Sequence, residues 1–197
     1  MLKDIFFYPL AALIISAMVF GALSLGDYEV LSLEDIRAQG FTVEGQDLAS
    51  LTASPGTNFE YIAASANQPA YVRLVTTLAR DVAPPSPGIF AALNPNYEQA
   101  FAQQDLRLTI TARSSPTSGL TEFDMGYFTA GAGDSGWKRR RLTSDWTEHV
   151  LEFTPGVNTG ESELDYFSIW PGVTADPLMM DVSYMRIDVL GDNSDAP

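Results

Sequence analysis

The feature that most constrains this chain is an uninterrupted apolar run from Ile5 to Leu25. Asp4 and Asp27 bound the run, and no charged residue lies between them. As an α-helix rising about 1.5 Å per residue, the run would span roughly 31 Å, close to the hydrocarbon thickness of a bilayer. A helix that is apolar on every face is typical of a membrane span. The run therefore predicts a transmembrane anchor formed by residues 1–26.

The residues that flank the run indicate its orientation. Lys3 precedes it, whereas Asp27 and Glu29 follow it. Because positive charge favours the cytoplasmic side, we expect a cytoplasmic N-terminus and a periplasmic main domain. The alternative is a cleaved signal peptide, which needs a basic leader and an apolar core of about 7–15 residues. The run is longer than that and its leader is barely basic, so we predict a retained single-pass anchor in the bacterial inner membrane.

Small residues within the run form two pairs. Ala12 and Ser16 are four positions apart, as are Ala17 and Gly21. Small residues at this spacing let two helix backbones approach closely in lipid. Such residues are also common in membrane helices that have no partner. The first interpretation predicts that the helix packs against integral-membrane protein subunits.

Composition narrows the chemistry that is open to the chain. The net charge of −14 and the isoelectric point near 4.2 argue against nucleic acid as a partner, because phosphate binding needs a basic surface. The chain has no cysteine and a single histidine, His149, which excludes Cys/His catalysis and a multi-histidine metal site. Carboxylates are plentiful, but the sequence singles out no catalytic pair. We therefore predict no enzymatic activity, no cofactor and no metal.

The remainder of the chain divides into three parts. Residues 27–40 predict a juxtamembrane segment with a short helix, because Ser32 suits its N-cap and Gly40 its C-terminal end. Residues 41–190 predict a single folded domain. Residues 191–197 predict a disordered acidic tail.

The domain carries the period-two pattern of β-strands. In its clearest strand, Leu106 and Leu108 alternate with Arg107 and Thr109. We expect about eight or nine short strands separated by turns, with almost no helix. This pattern predicts an all-β, antiparallel β-sandwich of the jelly-roll type.

A proline-rich segment interrupts this pattern between Asp81 and Asp105, and it predicts a long loop with a helical turn or two at residues 96–104. Within it, Ile89, Phe90 and Leu93 form an apolar patch. One interpretation is that the patch plugs an end of the core. The other is that it docks a partner or the bilayer.

One part of the domain resembles a known family. The strand Leu-Arg-Leu-Thr-Ile-Thr-Ala-Arg at 106–113 is followed by the turn Leu-Thr-Ser-Asp-Trp at 142–146 and a closing strand at 185–190. This order of elements resembles the galactose-binding-like jelly rolls, which include many carbohydrate-binding modules. The resemblance implies the fold, with Trp146 plugging one end of the sandwich, and it implies a possible glycan ligand. It transfers no ligand-binding residue.

Two further groups are candidate contacts for a partner or ligand. Trp137 and Trp170 could present aromatic surfaces to a sugar, although such rings usually fill cores. Arg139 and Arg141 lie in a basic run, where they could bind acidic partners or glycans. The alternative is that they pair with acidic side chains of this chain on neighbouring strands.

The anchor and the absence of a catalytic set lead to our main functional prediction. We expect a non-catalytic accessory or assembly subunit of an integral-membrane complex of photosynthetic, respiratory or transport type. The first alternative is a carbohydrate-binding module of the cell envelope, as the resemblance implies. The second alternative is a small envelope enzyme.

Overall fold

The period-two segments form two antiparallel β-sheets in the computed structural model, which describes residues 31–129, 133–156, 164–172 and 176–191. The elements in chain order are α1 (Leu33–Gln39), β1 (Phe41–Glu44), a 3₁₀ helix (Gly45–Ser50), β2 (Thr52–Ala53), β3 (Thr57–Ile62), β4 (Tyr71–Thr76), β5 (Ile89–Leu93), α2 (Pro95–Phe101), β6 (Leu106–Ser114), β7 (Glu122–Phe128), β8 (Lys138–Arg141), β9 (Thr147–Phe153), β10 (Asp165–Trp170) and β11 (Met179–Val189).

Several predictions concern residues outside these ranges. The predicted anchor, with Ala12, Ser16, Ala17 and Gly21, lies outside the described residues, and so does the acidic tail after Gly191. Within the described ranges, no helix is both long and apolar enough to cross a bilayer. The anchor, its orientation and its packing stay predictions.

The two sheets pack face to face. One has the strand order β3-β4-β11-β6-β9, with β1 also paired to β11, and the other has the order β2-β5-β10-β7-β8. This arrangement confirms the predicted all-β sandwich, with eleven strands among the described residues rather than eight or nine. The additional strands include the very short β2, which period-two patterns cannot reveal.

Alternation along β6 explains how the core forms. Leu106, Leu108 and Ile110 face the opposite sheet and are fully buried, as the pattern predicts. β6 lies between β11 and β9, and Leu108 pairs with Ile187 on β11. A central strand with one apolar face can bury that face only against a second layer. Packing of β6 and β11 against the other sheet therefore holds the sandwich together.

The predicted long loop between Asp81 and Asp105 is wrong where a strand forms, whereas the predicted helical turn is confirmed. Ile89–Leu93 form β5, which pairs with β10, and Pro95–Phe101 form α2. Pro95 occupies the first turn of α2, where no backbone N–H is needed, and the Asn94 side chain caps that turn. Ile89 and Leu93 are fully buried in the core, so they cannot form a docking surface.

The short helix α1 packs on the sandwich. Its Ile36 side chain is buried in the core, and the Arg37 Nε donates a hydrogen bond to the carbonyl oxygen of Ala100 in α2 at 2.8 Å. Gly40 ends the helix with a φ of +71°, and a Cβ at this position would lie 2.3 Å from the carbonyl oxygen of Ile187. Only glycine fits this close passage of the chain over β11.

His149 is a core residue of β9. Its side chain is only 7% exposed, and its ring meets the Phe123 ring edge to face at a centroid distance of 5.0 Å. Burial, and secondarily the positive charge of Arg140, lower the pKa of the imidazole below its ordinary value. The imidazole is therefore neutral in the folded protein at neutral pH.

This burial predicts a loss of stability in mild acid. Between the lowered folded-state pKa of His149 and the unfolded value of about 6.5, the unfolded chain binds more protons, so the free energy of unfolding decreases as pH falls through that window. Urea unfolding at intervals between pH 5 and 8 measures this slope. The variant His149→Phe should show a shallower slope. Identical slopes in the two proteins would contradict the prediction.

Candidate functional site

The face of the five-stranded sheet that points away from the core carries a cluster of aromatic and charged side chains. On β7, Phe123 and Tyr127 point into the core, so Asp124 and Phe128 point outward. β10 is paired to β7 in a register that places Trp170 beside Asp124 and Tyr166 beside Phe128. Strand pairing thus brings together side chains that lie about 40 positions apart in sequence.

These side chains line a cleft of about 460 Å³. A proline-rich segment before β5 covers one side, and the residues around β8 and β10 form the other. The residues that line the cleft are Arg80, Pro84, Pro85, Ser86, Pro87, Phe128, Thr129, Trp137, Leu164, Tyr166 and Trp170. The volume is in the range of small-ligand sites, which are largely apolar with a few polar groups.

Trp137 is at the centre of the aromatic contacts. Its ring lies 4.7 Å from the Phe128 ring and 6.0 Å from the Trp170 ring, measured between centroids. The Arg80 guanidinium lies over the Trp137 ring at 5.7 Å, in a cation–π contact. Gly126 makes room for this packing, because a Cβ there would lie 2.9 Å from the Phe128 ring. The half-buried Trp137 ring is thus held by three neighbours.

Asp124 provides the negative charge beside the cleft. It is only 2% exposed, and its carboxylate forms an ion pair with Arg80. The same carboxylate accepts hydrogen bonds from Nε and Nη2 of Arg139, at 3.1 and 3.4 Å. Those hydrogen bonds, with the attraction of the same carboxylate, raise the pKa of the Arg139 guanidinium. Both arginines share one buried partner.

Hydrogen-bond donors at the base of the cleft have no acceptor among the described residues. They are the Ser86 hydroxyl and the indole N–H of Trp170. Buried donors are usually satisfied, because an unpaired one costs about 1–3 kcal/mol. Two of them in the lining of one cleft indicate a site that offers hydrogen bonds to water or to a polar ligand.

The structure brings together some of the predicted contact residues and separates others. Trp137 lines the cleft, and Arg139 lies beside it. Trp170 also lines it, but its side chain is only 1% exposed, so it presents little surface to a ligand. Phe90 lies on the same sheet face, against Tyr166. Arg141 is exposed on β8, opposite Glu122, and does not line the cleft.

For Arg139 in the basic run at β8, the structure supports the second interpretation, in which the side chain pairs with acidic side chains of this chain. Its guanidinium pairs with Asp124 and lies 3.8 Å from the Glu122 carboxylate, both on neighbouring β7. Sequence reasoning missed Arg80, Phe128 and Tyr166 as cleft residues. Tyr166 and Trp170 are on one face of a strand, which was a usable signal, whereas nothing local marks Arg80.

The fold is similar to solved structures even though the sequence is not similar to known families. No family model matches the chain, and no curated protein matches it. The CBM22-1 xylan-binding domain from Paenibacillus barcinonensis Xyn10C is 13% identical, with a TM-score of 0.52 over 77% of this chain and 94% of that domain. The C-terminal family 22 carbohydrate binding module of Clostridium thermocellum Xyn10B is 14% identical, with a TM-score of 0.51 over 77% and 92%. The chain thus has the jelly-roll β-sandwich fold of carbohydrate-binding modules, as the resemblance predicts.

Proposed function

We propose that this chain is a non-catalytic glycan-binding module whose polysaccharide ligand lies in the cleft around Trp137. The observation that carries the proposal is the cleft itself, which places aromatic rings, one arginine and unpaired donors around about 460 Å³. Fold similarity supports the same function, since two of the matched structures are named as a xylan-binding domain and a carbohydrate binding module.

The chemistry of the lining suits a sugar. A pyranose presents apolar C–H faces and a rim of hydroxyl groups. The rings of Trp137, Phe128 and Tyr166 offer apolar surface for such a face, and the donors of Ser86 and Trp170 offer polar contacts at the base. A purely lipophilic ligand would leave those donors unpaired.

The described residues do not support our main sequence-based prediction, the assembly subunit of a membrane complex. The small residues on which it depended lie outside the described ranges, and the apolar patch at Ile89 and Leu93 is part of the core. The carbohydrate-binding alternative is better supported. If Ile5–Leu25 is an anchor, as we propose from the sequence, the cleft would be displayed on the periplasmic side of the inner membrane.

Titration of the full chain in mild detergent against soluble polysaccharides tests the proposal. Xylan comes first, because the matched Paenibacillus domain is named for it. We expect a dissociation constant between about 1 μM and 1 mM for at least one polysaccharide, which corresponds to about −8 to −4 kcal/mol. Absence of binding to every polysaccharide would contradict the proposal. Co-purification with a stoichiometric set of integral-membrane subunits would instead favour the assembly subunit.

A further inference from the structure

Asp124 occupies a distinctive position beside the cleft. Its buried carboxylate bonds to Arg80, which lines the cleft, and to Arg139, which does not. Asp124 itself does not line the cleft, so a ligand there would not contact it directly. Any influence of Asp124 on a ligand must act through its neighbours.

Arg80 is the neighbour through which this influence passes. It lies in the segment after β4, outside any strand, and its side chain keeps only about a third of its surface exposed. The ion pair with Asp124 fixes its guanidinium over the Trp137 ring. Because Trp137 is the central ring of the cleft, the carboxylate of Asp124 determines how one side of that ring is covered.

The same carboxylate also balances charge. Arg80 is the only charged residue in the cleft lining that the structure describes, and Arg139 lies directly beside it. Asp124 and Glu122 supply two negative charges against these two positive ones. The cleft therefore presents little net charge on a chain whose overall charge is −14.

We propose that Asp124 is a positioning and specificity-determining residue, which holds Arg80 against Trp137 and masks the arginine charge so that the cleft prefers uncharged polysaccharides over acidic ones. This inference rests on the proposed function, since it concerns the same cleft. Arginine that lacks a partner is an effective ligand for carboxylates. Removing the charge of Asp124 should therefore change the ligand preference as well as the affinity.

The variant Asp124→Asn tests this with two probes, arabinoxylan as the uncharged polysaccharide and polygalacturonate as the acidic one. We expect affinity for arabinoxylan to fall about tenfold and affinity for polygalacturonate to rise about tenfold, because Arg80 loses its carboxylate partner. A role limited to stabilising the fold would lower both affinities together. That outcome, or an unchanged preference, would overturn the inference.

Two further variants serve as controls. Arg139→Gln removes the arginine that pairs with Asp124 but does not line the cleft, so arabinoxylan affinity should stay within about twofold. Arg80→Gln should lower arabinoxylan affinity as much as Asp124→Asn does. The double variant of Asp124→Asn and Arg80→Gln should lose no more than either alone, because Asp124 acts through Arg80. Additive losses would overturn the inference.

An optical measurement separates this inference from the proposed function. The Trp137–Trp170 ring pair is expected to contribute to near-ultraviolet circular dichroism, and the contribution should change equally in Asp124→Asn and Arg80→Gln without any ligand. Failure of the unmodified chain to bind these two probes or any other polysaccharide would contradict the proposed function only. An unchanged ring signal in both variants would overturn the inference.

A second variant applies if Asp124→Asn does not fold. Arg80→Lys keeps a positive charge near Asp124 without the planar contact on Trp137. It should weaken binding of arabinoxylan but not of polygalacturonate. Full arabinoxylan affinity in that variant would overturn the inference.

Discussion

Trp137→Ala is expected to lower affinity for a polysaccharide ligand by about 30-fold or more, which is the loss of about 2 kcal/mol typical of a central aromatic contact. The ring is the common neighbour of Phe128, Trp170 and Arg80. Its removal takes away the central aromatic surface of the cleft and the ring that Arg80 covers. Calorimetric titration with the best polysaccharide of the panel measures the effect.

Trp146→Ala is the matched control for this variant. Trp146 is also half-buried and also lies under an arginine, since the Arg113 guanidinium is 4.4 Å from its ring centroid. It lies at the six-stranded sheet, against Tyr71, and not in the cleft. We expect this variant to lose stability but to keep its affinity for the ligand. Equal affinities for Trp137→Ala and the unmodified chain would place the ligand elsewhere.

Asp181→Asn is expected to lower the free energy of unfolding by about 3–5 kcal/mol, because it leaves two arginines without their buried partner. Asp181 has no exposed surface, and its carboxylate contacts Arg73 at 2.8 Å and Arg113 at 3.1 Å. Tyr71 completes the cluster through a hydrogen bond from Arg73. The hydrogen bond to Asp181 is the largest of the effects that raise the pKa of Arg73.

Glu152→Gln is the comparison for Asp181→Asn. It removes the partner of Arg107, in an ion pair of 3.0 Å whose two side chains are 48% and 59% exposed. Solvent already screens such a pair, so we expect a change below about 1 kcal/mol. Urea unfolding of both variants at neutral pH gives the two values. Similar losses in both would show that burial of Asp181 does not govern the strength of its interactions.

Much of the β-sandwich could be predicted because its signals are local. The alternation from Leu106 to Arg113 identified both the strand and its buried face, and Gly40 marked the end of α1. The prediction of a long loop between Asp81 and Asp105 was wrong at Ile89–Leu93, because β5 contains no proline and fits between the prolines. Pro95 starts the predicted helical turn, where a proline is tolerated. Trp146 packs at the outer face of the six-stranded sheet rather than plugging the end of the sandwich.

The candidate site was only partly predictable. Trp137 and Arg139 could be singled out as residue types suited to binding, and both are at the cleft. The sequence contains no sign that Asp124 pairs with Arg80, because these residues meet only through the packing of a segment after β4 against β7. Similarly, the buried environment of Trp170 depends on its register with Asp124.

The amino-acid sequence by itself determined the class of fold, the absence of cysteine chemistry and the apolar run at Ile5–Leu25, since these depend on composition and short-range periodicity. Only the tertiary structure decided where a ligand could bind. The cleft is assembled from the segment before β5, the end of β7, Trp137 just before β8 and the outer face of β10. Long-range strand pairing sets which side chains share that face, and no local pattern encodes such pairing.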